Sequence, residues 1–317
     1  FALALGEGDT LRFEPTYLRT REDRDDIQTD LQNDQITVRR REIEKRIRVR
    51  ENYGAFGAWE HVIGENGRTT VSLDYQSARE DTTRDANRYN AANVIDRTRR
   101  RTEDISMERI NPAVSVGFGG GAHRFSAGAD YSRTTRDETN TDRQNGAALA
   151  PNASRIFGIA EKRANAFAQD IITLPNDMVF TAGARLERSR TRTRDAAGAV
   201  SNRERTYLLP SAHLSAGLNE ATRARLSVAR TVRRPDLREL SPTVTANGGT
   251  FANPDTGGNP LASPESIWGA DAALEHYFAN GQGMVSASLF YRDFTNKIEA
   301  QSALEAGRVV QRPVNAG

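Results

Sequence analysis

The chain has 317 residues, of which 44 are Lys or Arg and 42 are Asp or Glu, giving a formal net charge of +2. That balance lacks the basic field of a dedicated nucleic-acid binder, and the absence of Cys excludes disulfides, thiol catalysis and Cys-ligated zinc. Hydrophobic residues make up 37% and the mean hydropathy is −0.66, too lean for a conventional two-layer core, yet the alternating segments are too many for a disordered chain.

In chain order, Thr10–Leu18 alternates weakly and leads into a charged segment, Arg19–Gln35, read as a loop. Arg39–Arg50 is densely charged, and its alternation continues into Tyr53, Ala55, Gly57 and Trp59, which favours a strand reaching beyond a membrane over an amphipathic helix. The tight turn Gly64-Glu65-Asn66-Gly67 carries the Asn-Gly hairpin signal. Val71, Leu73 and Tyr75 then alternate with Thr70, Ser72, Asp74 and Gln76. Glu80–Asp104 shows no apolar periodicity and is read as a long polar loop. Glu108–Phe118 and Arg124–Arg133 form a hairpin around Gly119-Gly120-Gly121-Ala122, and a further polar loop covers Thr134–Asn152.

Ala164–Glu187 holds two strand-like runs around Leu174-Pro175-Asn176-Asp177. Phe180, Ala182, Ala184 and Leu186 share one face, and Thr181, Gly183, Arg185 and Glu187 share the other, a period of two. Pro175 has no amide proton for a ladder and belongs in the turn. Arg188–Asn202 is again polar. Arg205–Leu218 and Thr222–Thr231 pair around Asn219-Glu220. The irregular stretch Arg233–Pro264 follows. Ser266–Phe278 and Met284–Phe294 pair around Asn280-Gly281, with Val285, Ala287, Leu289 and Tyr291 on one face and Ser286, Ser288, Phe290 and Arg292 on the other. Arg308–Val314 begins a last strand.

Short turns thus recur near residues 65, 120, 176, 220 and 281 and alternate with long polar segments. No apolar run approaches the roughly 18–20 residues of a membrane-spanning helix. A β-barrel crosses instead with about 9–11 residues per strand, short turns at one edge and long connections at the other. The pattern predicts an all-β fold: an antiparallel up-and-down transmembrane β-barrel, present in part as about eleven or twelve strands. Trp59, Tyr131, Tyr277 and Tyr291 lie near strand ends, as interfacial aromatic girdles do. Lys occurs only at positions 45, 162 and 297. Arg–carboxylate ladders in a wet interior and a genomic preference for Arg codons each account for the abundance of Arg.

Enzyme signatures are missing. His61, His123, His213 and His276 are dispersed without an HExxH spacing, and all four are expected near the short-turn edge. Gly117–Gly121 precedes a strand and lacks the Gly-Lys-Ser/Thr of a phosphate loop. Glu138, Asn140 and Asp142 miss the calcium-loop pattern and read as solvated loop. Asp25-Asp26 likewise reads as solvated, with no apolar pocket to shift a pKa. No catalytic, metal-binding, cofactor-binding or ligand-binding residue is assigned, and no cofactor is expected.

From Ala164 to Ile298 the chain resembles TonB-dependent outer-membrane receptors. Phe167-Ala168-Gln169-Asp170 is similar to their aromatic-x-Gln-Asp strand. Gly183-Ala184-Arg185-Leu186-Glu187 resembles the partner strand, with Leu186 in place of the usual aromatic. Leu209-Pro210-Ser211, then Arg233-Arg234-Pro235-Asp236 with Leu240 and Pro242, follow in the family's order. Asn259-Pro260 through Pro264-Glu265, with Ala262 in place of Leu, comes next, and Glu275-x-Tyr277-Phe278 and Phe290-Tyr291-Arg292-Asp293 complete the run. The first half matches in hairpin rhythm alone.

The resemblance implies a location in the outer membrane of a Gram-negative bacterium and contact with its lipid. It further implies energy-coupled uptake of a bulky scarce ligand such as a siderophore, haem, cobalamin or an oligosaccharide. The TonB complex would act through a plug domain, which residues 1–317 do not contain; they read as part of one barrel of about twenty-two strands. A porin-like channel or a structural barrel without active transport is the alternative. Arg233, Arg234 and Asp236, at the entrance of the irregular stretch, are expected to pair structurally.

Overall fold

A computed structural model describes residues 1–317 apart from residues 7, 32–36, 149–153, 196, 243, 246, 279–281 and 317, and apart from the side chains of 154–156. Among the described residues every regular element is a strand. In chain order these are β1 (Ala2–Gly6), β2 (Asp9–Leu31), β3 (Val38–Ile63), β4 (Gly67–Asn90), β5 (Ile95–Gly120) and β6 (His123–Gln144). They continue with β7 (Ala147–Ala148), β8 (Ser154–Leu174), β9 (Met178–Arg194), β10 (Val200–Asn219), β11 (Thr222–Arg233) and β12 (Val244–Thr245). The last are β13 (Asp255–Gly257), β14 (Glu265–Phe278), β15 (Gly283–Thr295), β16 (Lys297–Glu305) and β17 (Arg308–Ala316). Among the described residues no helix is long and apolar enough to cross a membrane, which says nothing of strands.

One sheet runs in chain order, β1 through β6, then β8 to β11, β14 and β15, with β7 beside β6. All its pairings are antiparallel, so the expected up-and-down sheet is present, with twelve strands on its main path. The turns follow their chemistry. Gly64 and Gly121 take positive φ (59° and 58°), as do Asn176 and Asp177 after Pro175 (61° and 56°), where Gly, Asn and Asp are least strained. The expected turn at Asn280-Gly281 falls outside the described residues.

Register aligns the apolar rows. Leu11 faces Trp59, Trp59 faces Val71, Val71 faces Val114, and Val114 faces Ala129. The line continues through Ala166, Leu186 and Leu208, climbing from strand to strand as tilted barrel strands require. These side chains do not meet a core: Val71, Leu73, Val114, Leu186, Leu208 and Leu226 are exposed. The row behind them is polar and covered, with Ser132, Thr134, Glu138, Asp142, Asn165, Ser189 and Thr193 buried. Apolar out and polar in inverts a water-soluble sheet and suits a wall facing lipid.

Four differences from the sequence reading share a cause. Arg19–Gln35, Glu80–Asp104, Thr134–Asn152 and Arg188–Asn202 were expected to be loops. The described parts are mostly strand: β2 runs to Leu31, β4 and β5 meet at a turn over 91–94, β6 runs to Gln144, and β9 and β10 meet over 195–199. Residues 32–35 and 149–152 lie outside the described part. Above the apolar rows both faces are polar, so the apolar period vanishes while the ladder continues. Cross-strand pairs sustain it: Arg50 Nε to Glu80 at 2.6 Å, Arg88 Nε to Asp96 at 2.7 Å, and Thr102 to Thr141 at 2.6 Å, each a modest stabilising contact. The two edges therefore differ less in loop length than in how far the strands extend.

The end of the chain also departs from expectation. Arg308–Val314 does not start the next barrel strand in this structure. β17 pairs with β16 antiparallel and with β13 in parallel, in a separate four-stranded sheet ordered β12-β13-β17-β16. Asn296, at φ 55°, separates β15 from β16.

Candidate functional site

The irregular stretch after β11 folds back onto the polar face of the wall. Its anchor is a chain of charged groups across β6, β8 and β9. Asn165 Nδ2 donates to Asp130 at 2.6 Å, Arg185 Nη2 donates to Asp130 at 2.7 Å, and Arg185 Nε donates to Glu187 at 3.0 Å. Arg234, from the stretch itself, closes the series by pairing with Glu187. Register explains the gathering: Asp130 faces Asn165, Asn165 faces Glu187, and Arg185 is two residues along the same row.

Apolar contact reinforces it. Phe157 (1% exposed) and Ile159 pack with Leu240 and Ala262, and Leu237 flanks them. Phe157 and Ile159 are apolar members of the inward row, beside Glu161, Arg163 and Asn165, and they pack against Leu240 and Ala262 of the returning stretch. Arg203 Nη1 donates to the Leu261 and Ala262 carbonyls at 2.5 and 3.3 Å.

Asp255 (2% exposed) fastens the second sheet. Arg308 donates to it through Nε at 2.6 Å and Nη2 at 2.8 Å, and the Asn247 amide adds a 2.6 Å bond. The guanidinium holds the Asp255 carboxyl below the usual carboxylate range against the opposing effect of burial. Asn315 bridges Ser263 to Asn296, and Glu265 accepts the Ile298 amide at 2.8 Å.

Between the polar face of β3–β6 and this returning segment lies a cleft of about 850 Å³. Arg48, Arg84, Glu103 and Glu138 line the wall side, and Arg238 and Glu299 the other. Burial pushes the Glu103 carboxyl up, and the like charge of Glu138 adds to it, while Arg84 and Arg238 oppose the shift. Chemically the cleft offers charged groups of both signs and room for a bulky polar molecule. A cleft of this size is in the range of ordinary ligand sites.

The residues singled out from sequence fall as follows. Arg234 pairs with Glu187. Arg233 pairs with Glu239 at 3.2 Å and approaches Glu265 at 3.7 Å. Asp236 donates its amide to Glu239 at 2.8 Å and lines the cleft. Glu138, Asn140 and Asp142 are not solvated loop. They lie on the polar row of β6, where Arg136 and Asn140 hold Glu138 (4% exposed) and Arg99 and Arg101 hold Asp142. No group of three or more His, Cys, Asp or Glu among the described residues could hold a metal ion.

His61 and His123 sit near the short turns, bonded to Asp9 at 3.0 Å and Asp170 at 2.6 Å, and His276 pairs with Thr222. His213 does not join them: it faces Thr181 and Ser227, farther up and on the polar row. Tyr277 shares the polar row with Glu275, to which it donates at 3.0 Å, so it is not part of the outward girdle. Tyr17, Tyr53 and Tyr75 take part in that girdle beside Tyr131 and Tyr291, each near the upper limit of the apolar rows. The extent of the wall and its fastening to the returning segment left no apolar signal in the sequence; the alternating Thr and Arg of 188–194 was the available cue.

A sequence model described as "TonB dependent receptor-like, beta-barrel" matches residues 5–317. No curated protein matches the sequence. Among solved structures, the copper transporter OprC superposes with a TM-score of 0.54 at 12% identity, over 97% of this chain and 52% of that one. BauA, the ferric preacinetobactin receptor from Acinetobacter baumannii, superposes with a TM-score of 0.51 at 11% identity, over 99% of this chain and 54% of that one. At such identities the likeness is one of fold, and the chain spans about half the length of these proteins.

Proposed function

Since the chain belongs to the TonB-dependent receptor β-barrel family, we propose that it forms part of the wall and outer segments of a transporter in the outer membrane of a Gram-negative bacterium. In this reading the transporter takes up a bulky scarce ligand at the expense of energy delivered by TonB. The ligand enters the cleft between β3–β6 and the returning segment, is held there together with a plug domain, and passes inward when TonB pulls on the plug. The observation that carries the reading is the cleft itself: about 850 Å³, polar on both sides, at the end of the wall away from the short turns. The barrel supplies no reacting group in this scheme, so the protein acts as a transporter and not as an enzyme.

The cargo classes are ferric siderophores, copper, haem, cobalamin and oligosaccharides, the first two being what BauA and OprC are named for. The test is uptake by cells carrying the full-length protein. Labelled cargo of each class is offered with and without collapse of the proton-motive force. Uptake that needs both the protein and the force supports the reading. Uptake that persists after collapse identifies a porin-like channel instead, and a protein that moves no cargo class is a structural barrel.

A further inference from the structure

Above the apolar rows, the outward faces of β5 and β9 carry opposite charge. On β9, Arg188, Arg190 and Arg192 continue the face of Ala184 and Leu186, because Ser189 and Thr191 between them point to the covered side. Register adds Lys162 of β8, which faces Arg190. Glu204 of β10 is shared by Arg188 at 3.2 Å and Arg190 at 3.5 Å, with the two guanidiniums 70% and 61% exposed. Among the described residues, Lys162 and Arg192 have no carboxylate within ion-pair distance.

On β5 the sign reverses. Glu108 and Asp104 point outward and are exposed, and among the described residues neither has a cation within ion-pair distance. The nearest outward cations are engaged elsewhere: Arg79 with Asp81 at 3.4 Å and Arg100 with Asp85 at 3.6 Å. Asp104 directly faces Asp81 of β4, a like-charge pairing that costs stability within one sheet. Arg133 of β6, which faces Ile110 and Lys162, marks the boundary between the two fields.

The fields also stand level. Ile110 is the last apolar residue on the outward face of β5, and Leu186 is the last on β9. Glu108 and Arg188 each lie two residues beyond, and Asp104 and Arg192 each lie six beyond, about 7 and 20 Å along the strand. Between the fields, at lipid level, the side chains are small. Ala127 faces Ala168, Ala168 faces Ala184, and Ala129 faces Ala166, so another backbone can approach closely. β5, β6, β8 and β9 each have a strand on both sides, so strands that close the barrel join elsewhere and leave this face open.

We propose that this face binds a second copy of the chain, about a two-fold axis along the membrane normal that passes between β6 and β8. Two copies in one membrane share their height. The axis sets β5 of each against β9 of the other, so Glu108 and Asp104 meet Arg188, Arg190 and Arg192 twice over. Such a contact is self-complementary and closes at the dimer, and the opposed fields fix its register. The proposal rests on the reading that the apolar row faces lipid.

The test uses the full-length protein from outer membranes, its mass read by sedimentation in mild detergent. The wild type should be a dimer. R190E/R192E and D104R/E108R should each weaken the dimer by about tenfold or more, because like charges then meet across the axis. Combining the two pairs of changes should restore it. In intact cells, with any other Cys replaced, Ala160→Cys beside the axis should form a disulfide-linked dimer under mild oxidation. Thr83→Cys, outward on β4, should not. A wild type that fractionates with outer membranes yet is monomeric and gives no Ala160→Cys dimer overturns the proposal and leaves the lipid-facing reading standing. Charge reversals without effect, or a combined variant that stays monomeric, overturn it equally. A wild type that fails to fractionate with outer membranes overturns the lipid-facing reading and the proposal together.

Discussion

At the scale of single residues, the barrel uses the same pairing for two purposes. On the wall, Arg50–Glu80 and Arg88–Asp96 tie neighbouring strands across water-exposed faces, where solvent screening keeps each pair weak. At Asp255 the carboxylate is buried and carries the second sheet, so its loss is felt more. Its pKa is held down by Arg308, and a depressed carboxylate gives stability that is present above its unfolded pKa. That stability is lost as pH falls through the folded value. The four-stranded sheet should therefore loosen below the ordinary carboxylate range, which is read as faster proteolysis or amide exchange across 244–257 and 308–316 in the reconstituted full-length protein. Arg308→Gln should loosen the same segment at neutral pH by about 1–3 kcal/mol, since a buried acceptor loses its donor. An acid-insensitive segment in the wild type would show that Asp255 is not what fastens it.

At the scale of elements, each strand has a lower part that the sequence announces and an upper part that it conceals. Val71-Leu73-Tyr75 and Phe180–Leu186 show their period because one face meets an apolar solvent. The segment 188–194 shows none in hydropathy because both faces are polar, one exposed and the other covered. Yet its Thr and Arg alternate as regularly as the apolar rows below, and the ladder runs on. The turn at 175–177 was legible from Pro175 and Asn176; those at 91–94 and 195–199 were not, lying inside polar sequence. The anchoring of Arg234 on Glu187 joins residues 47 apart, which no local pattern encodes.

Strand β15 tests the faces. Ala287 faces Leu274, and Ser288 faces Ala273, which puts Ala287 in the apolar row and Ser288 in the other. Arg at 287 should cost roughly 2–4 kcal/mol, because the guanidinium lies in hydrocarbon or distorts the bilayer. Arg at 288 should stay within about 0.5–1 kcal/mol of the parent. Phe290, on the same row as Ser288, lies beside Arg292 with the guanidinium 5.8 Å from its ring centre. The check is outer-membrane assembly and stability in lipid of full-length Ala287→Arg and Ser288→Arg. A worse outcome for Ser288→Arg would reverse the faces.

At the scale of the whole molecule, the two edges of the sheet should see different compartments. The upper edge carries the turns at 91–94 and 195–199 and the returning segment. The lower carries the turns at 64–66, 121–122 and 175–177. Protease added to intact cells should cut at the upper turns, Arg194 being a natural tryptic site, and spare the lower ones. Cuts confined to the lower turns would invert the topology. In water the outward apolar row has nothing to cover it, and each exposed Å² of it costs about 25 cal/mol, so residues 1–317 alone should aggregate instead of unfolding cooperatively as a monomer.

One face of the lower strands touches lipid, while the same face of the upper strands meets water and the opposite face stays polar and covered. Residues 1–317 contain no Cys, so a scan of single Cys substitutions through β4, with any Cys elsewhere in the full-length protein replaced, reads this directly. A spin label at each position reports collisions with oxygen, which favours lipid, and with a water-soluble nickel chelate. From Arg68 to Gln76 the ratio should alternate with a period of two, with Val71, Leu73 and Tyr75 at the lipid maxima. From Ser77 to Asn90 the lipid maxima should vanish, with the outward positions in contact with water and the buried Thr82 and Ala86 shielded from both reagents. Uniform water contact along the whole strand, or maxima at Thr70, Ser72 and Asp74, would contradict the account.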